Sequence, residues 1–341
     1  MVKLLLFPFI IFEQIIKVLQ LVEVFELSLT SARVLYKIKF VKRKLQPLQL
    51  LISKKRYAIG LQEFKITHEK KFSPTLLFSF KKENNLNTFP RRLTVSGFNF
   101  NVSKNEWTFS GPYDFDCLYP IFSYLFNLFS IDSAALAIEC TKITDELLSH
   151  PMFAPCSCID IINEKTNVMT NRQVSILLKH MNPKYGIAIT CQVSSNFKQH
   201  KNLFNLPSFS VVAGEWITFD TLLNASGGRI KIESHNFTER HLKIYIKYWL
   251  KRDNQTLYCL RLGNFEKEPK WEDLLEGIAY TKWDEKRRCR YYRTTTTYAN
   301  WFLDCEDGWD FERKDGKLAT VLHSSNYFYM LVWHDRFPKM H

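Results

Sequence analysis

From residue 134 onward the sequence repeats one pattern, and that pattern limits the folds open to it. Short apolar runs lie at Ala134–Glu139, Cys158–Ile162, Gly186–Gln192, Phe209–Ala213, Arg229–Glu233 and Leu257–Leu262. Their starts are 24, 28, 23, 20 and 28 residues apart. Each run has the length of a strand. Between them lie segments with helical spacing: Thr144–Leu148, Asn171–Met181, Phe219–Asn224, Glu239–Lys251 and Trp271–Ile278. Thr170 and Thr238 can cap such helices, and Gly227 and Gly277 can stop them. Strands separated by helical crossovers pair in parallel, so residues 134–265 are expected to form one sheet of mainly parallel strands.

A strand-plus-helix unit of this length has the period of leucine-rich repeats. No LxxLxLxxN signature is present, so the expected form is a degenerate β/α solenoid, in which each unit hides its apolar face by stacking on its neighbour. An open doubly wound sheet is the alternative. Residues 57–110 read instead as antiparallel strands: Ala58–Thr67, Leu76–Phe80, Leu93–Asn101 and Trp107–Ser110, broken by Pro74, Asn84-Asn85 and Ser103-Lys104-Asn105. An aromatic helix is expected from Tyr113 to Phe129. Near the C-terminus, Trp309–Arg313 and Leu318–His323 flank Asp315-Gly316, a strong hairpin signal. The fold class is therefore α/β. Expected divisions are helices over 4–45, a basic linker over 46–56 and a larger domain over 57–341. That domain comprises strands to 110, β/α repeats over 111–280 and a C-terminal hairpin region over 281–341.

At the N-terminus, Phe7-Pro8 opens an apolar helix, because a proline loses nothing at a first helical position. Phe12, Ile15, Ile16 and Leu19 then follow at helical spacing. Lys3 and the run Leu4–Phe12 have the look of a secretory leader, but no small-x-small cleavage site follows. Nine apolar residues also fall far short of the roughly 20 needed to span a bilayer. Sequons at Asn101, Asn224, Asn236 and Asn254 arise readily by chance in a polar chain. The places held by Pro8, Ile11, Ile15, Ile16, Leu19, Glu23, Val24, Leu27, Ser28, Ser31 and Arg33 resemble the F-box pattern. Phe7 departs from the usual Leu, Gln20-Leu21 from Asp-Pro, and Ala32 from a frequent Lys. The resemblance implies three short helices that dock on the Skp-type adaptor of a cullin-based ubiquitin ligase. It assigns partner contacts to Phe7, Pro8, Ile11, Ile15, Glu23, Val24 and Leu27.

A second resemblance covers roughly residues 200–325. Trp216-Ile217-Thr218, Leu222-Leu223, Ile230, Ile232, Ser234, Phe237-Thr238, Leu242 and Tyr245-Ile246-Lys247 to Trp249 are similar to the F-box-associated type 2 domain expanded in nematodes. Residues 313–321 are similar to that domain's closing motif. His241 and Lys243 stand where the family often has Asp and Asn. Together the two resemblances imply a substrate-recognition adaptor of an SCF-type ubiquitin ligase.

Charge raises a competing reading. The chain of 341 residues carries a net charge of +13. Residues 37–56 hold eight Lys and Arg without an acid, and 286–293 hold five more. Those thirteen cations match the whole excess, so only two local patches could meet nucleic acid, the second with Tyr291 and Tyr292 available to stack. A charge run is more often a solvated loop or strand edge.

Eight cysteines lie at 117, 140, 156, 158, 191, 259, 289 and 305, and only 156 and 158 are close. Zinc needs four convergent donors, which this spacing does not supply. Reduced thiols are expected, as in a cytoplasmic or nuclear protein.

No P-loop, GxSxG, HExxH or EF-hand loop is present. Asp304, Glu306, Asp307 and Asp310 form an acidic cluster, but loop carboxylates of this kind are usually solvated. His235 and His241 are six apart and would not share a helical face. Trp249, Trp271, Trp283, Trp301 and Trp309 read as core. The expectation is a binding protein rather than an enzyme, with no cofactor, no metal site and no membrane partner.

Overall fold

The computed structural model describes residues 4–61, 76–81, 91–95, 97–103, 106–110, 115–162, 168–194, 197, 201–252, 255–295 and 300–338. The chain is mixed α/β, dominated by sheet, and divides into two compact units. Unit 1 is Met1–Ile159 with Ile176–Asn182; unit 2 is Asp160–Ser175 with Pro183–His341.

Unit 1 begins with three helices, α1 (Phe9–Val18), α2 (Leu21–Ser28) and α3 (Ala32–Val41). Strands β1 (Leu48–Ile52), β2 (Arg56–Leu61), β3 (Leu76–Lys81), β4 (Arg91–Val95), β5 (Phe98–Ser103) and β6 (Glu106–Ser110) follow. Helix α4 (Phe115–Leu128), β7 (Ala134–Glu139) and α5 (Asp145–Leu148) come next. The strands lie in the order β7-β1-β2-β3-β6-β5-β4. Pairing is antiparallel except at β1–β7 and β3–β6, which are parallel. The expected all-antiparallel set over 57–110 is thus corrected at one pair. Strands β4, β5 and β6 form a meander that joins β3 through its last strand, and that strand runs in the same direction as β3.

Three further expectations are corrected here. Leu93–Asn101 is not one strand but a hairpin, turned where Gly97 takes a positive φ of 85° that other residues rarely adopt. The span 46–56 is no linker: β1 lies between β2 and β7, and the buried Glu139 carboxylate accepts Lys54 N–H at 2.8 Å. Residues 4–45 are not set apart either, because α2 shares the unit's core. Phe25 of α2 meets Phe78, Trp107 and Tyr124 edge-on, at ring separations of 5.1, 5.0 and 5.7 Å. The expected aromatic helix forms as α4, with Pro120 inside it; Tyr113, like residues 62–67, Pro74 and Asn84-Asn85, lies outside the described residues.

The strand β8 (Cys156–Ile162) and, after β9 (Val168–Met169), the helix α6 (Asn171–His180) each carry the division between units within their length. Unit 2 continues with β10 (Gly186–Ile189), β11 (Gln192–Val193), α7 (Lys201–Phe204), β12 (Ser208–Ala213), α8 (Phe219–Leu223), β13 (Arg229–Ser234), α9 (Glu239–Lys251), β14 (Cys259–Leu262) and α10 (Trp271–Leu274). It closes with β15 (Tyr280–Lys282), β16 (Tyr291–Thr295), β17 (Asn300–Asp304), β18 (Trp309–Glu312), β19 (Leu318–Ser324) and β20 (Tyr327–Trp333).

In unit 2 the strand order is β10-β12-β13-β14-β20-β19-β18-β15. The pairs β10–β12, β12–β13 and β13–β14 are parallel, as the spacing predicts. The series stops at β14, where β20 adds antiparallel and the chain becomes a meander. Thr238 opens α9 through a capping box in which His241 replaces the usual Glu: Thr238 N–H donates to His241 Nδ1 at 3.0 Å. At the Asp315-Gly316 turn, Gly316 has a φ of 81° and Arg313 N–H donates to the Lys317 carbonyl at 2.9 Å.

None of the eight cysteines is in a disulfide; seven are buried and Cys289 is half-buried. Burial pushes the thiols of Cys156, Cys259 and Cys305 up to about 12. A thiol reagent should therefore titrate Cys289 alone quickly in the native protein and all eight groups after unfolding; fast native reaction of several would contradict this packing. Phe25→Ala removes a wholly buried ring from four-way aromatic packing and is expected to cost about 3–5 kcal/mol in chemical denaturation.

Candidate docking surface

The N-terminal helices bury one face and leave another apolar face in solvent. Pro8 caps α1 with φ −52° and ψ 147°, and Phe12 and Ile16 point inward. In α2, Leu21, Val24, Phe25 and Ser28 are buried; in α3, Val34, Ile38 and Val41 are. Ser31 caps α3 by accepting Val34 N–H at 3.2 Å. Arg43 Nη1 donates to the carbonyls of Ile16 and Leu19 at 3.1 and 2.8 Å, meeting the open end of α1 with a cation where the helix dipole is negative. Lys37 Nζ donates to the Leu5 carbonyl at 3.0 Å and lies 5.4 Å from the Phe12 ring centroid.

On the other side, Leu6, Ile10 and Val18 are 76, 72 and 81% exposed, and Phe7, Phe9 and Ile11 are exposed too. From α3, Tyr36 and Phe40 are 64 and 53% exposed, their rings 4.8 Å apart and edge-to-face. Phe9, Tyr36, Lys37 and Phe40 line a groove between α1 and α3. Large apolar side chains contiguous in solvent mark an interaction surface more often than chance exposure.

The seven residues singled out from the sequence fall into three groups. Phe7, Pro8 and Ile11 lie on the exposed face, and Ile15 and Leu27 are half-buried. Val24 is wholly buried, so it offers nothing to a partner in this fold. Glu23 is exposed and caps its own helix: Gln20 N–H donates to its carboxylate at 2.7 Å. Sequence reasoning missed Leu6, Ile10, Tyr36 and Phe40. Tyr36 and Phe40 could have been found as an aromatic pair at i, i+4 spacing on one helix face.

The basic run 286–293 proves to be largely neutralised within unit 2. Arg287 pairs with Glu312 at 2.9 Å, and Arg290 pairs with Asp304 and Glu306 at 2.6 and 2.8 Å. Arg288 is wholly buried with Asp310: its Nε donates to both carboxylate oxygens at 3.0 and 2.9 Å. Its remaining nitrogens donate to the carbonyls of Cys289 and Cys305 at 2.9 and 2.8 Å. Thr320 Oγ1 donates to Asp310 at 2.6 Å and accepts Trp333 Nε1–H at 2.7 Å. Asp304, Glu306 and Asp310 of the acidic cluster are thus the partners of Arg288 and Arg290 in the second basic patch. Of the first patch, Lys39, Lys42, Lys44, Lys54 and Lys55 are exposed on α3 and the turns beyond it.

His235 is buried, stacked on Phe237 at 4.9 Å, with its Nδ1 accepting Phe237 N–H at 3.0 Å. Trp249 and Trp271 are core residues; the side chain of Trp301 lies outside the described residues. Among the described residues no cluster of His, Cys, Asp and Glu could hold a metal ion, and no helix is long and apolar enough to cross a membrane.

Residues 197–262 match a family described as "F-box associated". That stretch runs from Phe197 through α7, β12, α8, β13 and α9 to β14, the parallel part of unit 2 without β10. The closing motif at 313–321 lies beyond it. Two proteins of Caenorhabditis elegans are similar to this chain. Uncharacterized protein F59B2.8 is 27% identical over 139 residues, covering 40% of this chain and 32% of the relative. Uncharacterized protein F59B2.9 is 23% identical over 198 residues, covering 57% of this chain and 45% of the relative. The chain thus spans less than half the length of either. No solved structure matches it.

The Arg288–Asp310 pair generates a test. Asp310→Ala leaves a guanidinium buried without its carboxylate and is expected to destabilise by about 3–5 kcal/mol. Arg290→Gln breaks an exposed pair and should leave the denaturation midpoint almost unchanged.

Proposed function

We propose that the chain is a substrate-recognition adaptor of a cullin-based SCF-type ubiquitin ligase. The match of residues 197–262 to an F-box-associated family carries this reading. The exposed apolar face on α1 and α3 supports it, since an F-box segment needs a surface left open for a Skp-type protein. In this reading α1 to α3 act as the F-box and unit 2 receives a protein substrate. The chain carries out no chemistry of its own. Its mechanism is geometric: holding a substrate close to the charged conjugating enzyme raises the effective concentration of the reacting lysine. The work belongs in the cytoplasm or nucleus, where Skp-type adaptors and free thiols coexist.

The test is capture of a co-expressed Skp-type adaptor by the full chain. Ile10→Asp places a carboxylate in the middle of the docking face, where desolvation without a partner charge should weaken capture roughly a hundredfold. Because Ile10 is exposed in the free chain, circular dichroism should not change. Failure of the wild-type chain to capture the adaptor, or equal capture by the Asp variant, would reject the docking assignment.

A further inference from the structure

Strands β12 and β13 are buried on one face and polar on the other. In β12, β13 and β14 the covered face buries Phe209, Val211, Ala213, Ile230, Ile232, Leu260 and Leu262, while Cys259, on the opposite face of β14, is buried in a second core. Their neighbours in sequence point to the opposite face. There Ser208, Ser210, Arg229, Lys231, Glu233 and Arg261 are half-buried and Val212 is 40% exposed. The register places Lys231 beside Ser210 and Arg261, and Arg261 beside Tyr329.

The charges of this face are unevenly matched. Lys231 pairs with Glu233, which also accepts the Tyr327 hydroxyl. Arg261 Cζ lies over Tyr327, 3.7 Å from the ring centroid, and 5.5 Å from that of Tyr329. Its Nε is screened from solvent and makes no hydrogen bond. Arg229 lies over Tyr258 at 4.9 Å. Among the described residues neither arginine has a carboxylate at ion-pair distance. Three cations therefore share one acid, in a row across two adjacent strands, with aromatic rings holding two of them in place.

We propose that this face, across Arg229, Lys231 and Arg261, seats an acidic segment of a protein partner. The inference rests on the adaptor reading and names the class of substrate it would take. Carboxylates of an extended segment would complete the two unpaired guanidinium groups, and strand spacing sets the distance between them. A nucleic acid fits less well, because Glu233 stands in the row and would face a phosphate backbone.

The probe is a fluorescein-labelled Glu-rich peptide, with a Lys-rich peptide of equal length as its counterpart, read by anisotropy against the full chain. The wild-type chain should bind the acidic peptide and not the basic one. The triple variant Arg229→Gln, Lys231→Gln and Arg261→Gln should bind it at least about tenfold more weakly. A charge-matched control on α9, with Lys243→Gln, Lys247→Gln and Lys251→Gln, should stay within about twofold of wild type. Should the triple variant fail to fold, Arg229→Gln with Lys231→Gln keeps the stacked Arg261 and should still lose several-fold. Absence of wild-type binding, equal losses in both variant sets, or tighter binding of a single-stranded oligonucleotide through the same row would overturn the proposal. No Skp-type protein enters this assay. Loss of adaptor capture with peptide binding retained would therefore reject the ligase role and leave the acidic seat standing.

Discussion

One-sided burial governs unit 2. A parallel strand flanked by crossover helices must hide the face those helices cover, and here Ile230, Ile232, Leu260 and Leu262 do so. The other face is released from that demand. Over β12, β13 and Arg261 of β14 it carries serines and charges; over Cys259 of β14 and over β19 and β20 the hairpin β16–β17 closes it, where Cys259, Tyr292, Cys305, Leu318, Leu331 and Trp333 form a second small core. Tyr292 fastens that hairpin, its hydroxyl donating to the Tyr258 carbonyl at 2.8 Å. Desolvation there raises the Tyr292 pKa far above the ordinary tyrosine range.

The same hairpin explains why a charge run can mislead. Arg287, Arg288 and Arg290 fall in the run 286–293, which contains no acid and invites a polyanion. The chain brings Asp304, Glu306, Asp310 and Glu312 back alongside them, and each arginine finds a carboxylate. Arg290 is accordingly held even more firmly protonated, chiefly by its hydrogen bonds to Asp304. The buried Arg288–Asp310 pair is expensive to desolvate, and hydrogen bonds from all three guanidinium nitrogens offset that cost.

In unit 1 the constraint is aromatic. Phe25 on α2 fits among Phe78, Trp107 and Tyr124, with Ser28 hydrogen-bonded to the Tyr124 hydroxyl at 2.8 Å. That contact consumes one face of the helical hairpin and turns the face carrying Phe9, Ile10, Tyr36 and Phe40 outward. A helix with apolar residues on more than one side has to bury some and show others. Spacing alone could not tell which, so Val24 was as good a candidate for partner contact as Ile11.

Local signals in the sequence sufficed where the physics is local. Strands β12, β13 and β14 and helix α9 lie within two residues of the expected runs, because period-two and period-3.6 patterns, Thr238 and Gly277 report on backbone geometry a few residues away. The Asp315-Gly316 turn was legible for the same reason. Tertiary structure decided the parallel insertion of β6 beside β3, the role of 46–56 as a strand, the β16–β17 hairpin and the partners of every arginine in 287–290. Those outcomes depend on which distant surfaces meet. A residue's neighbours along the chain set its conformation, but the identity of its counter-ion or its cover is set by segments that the fold brings from far away.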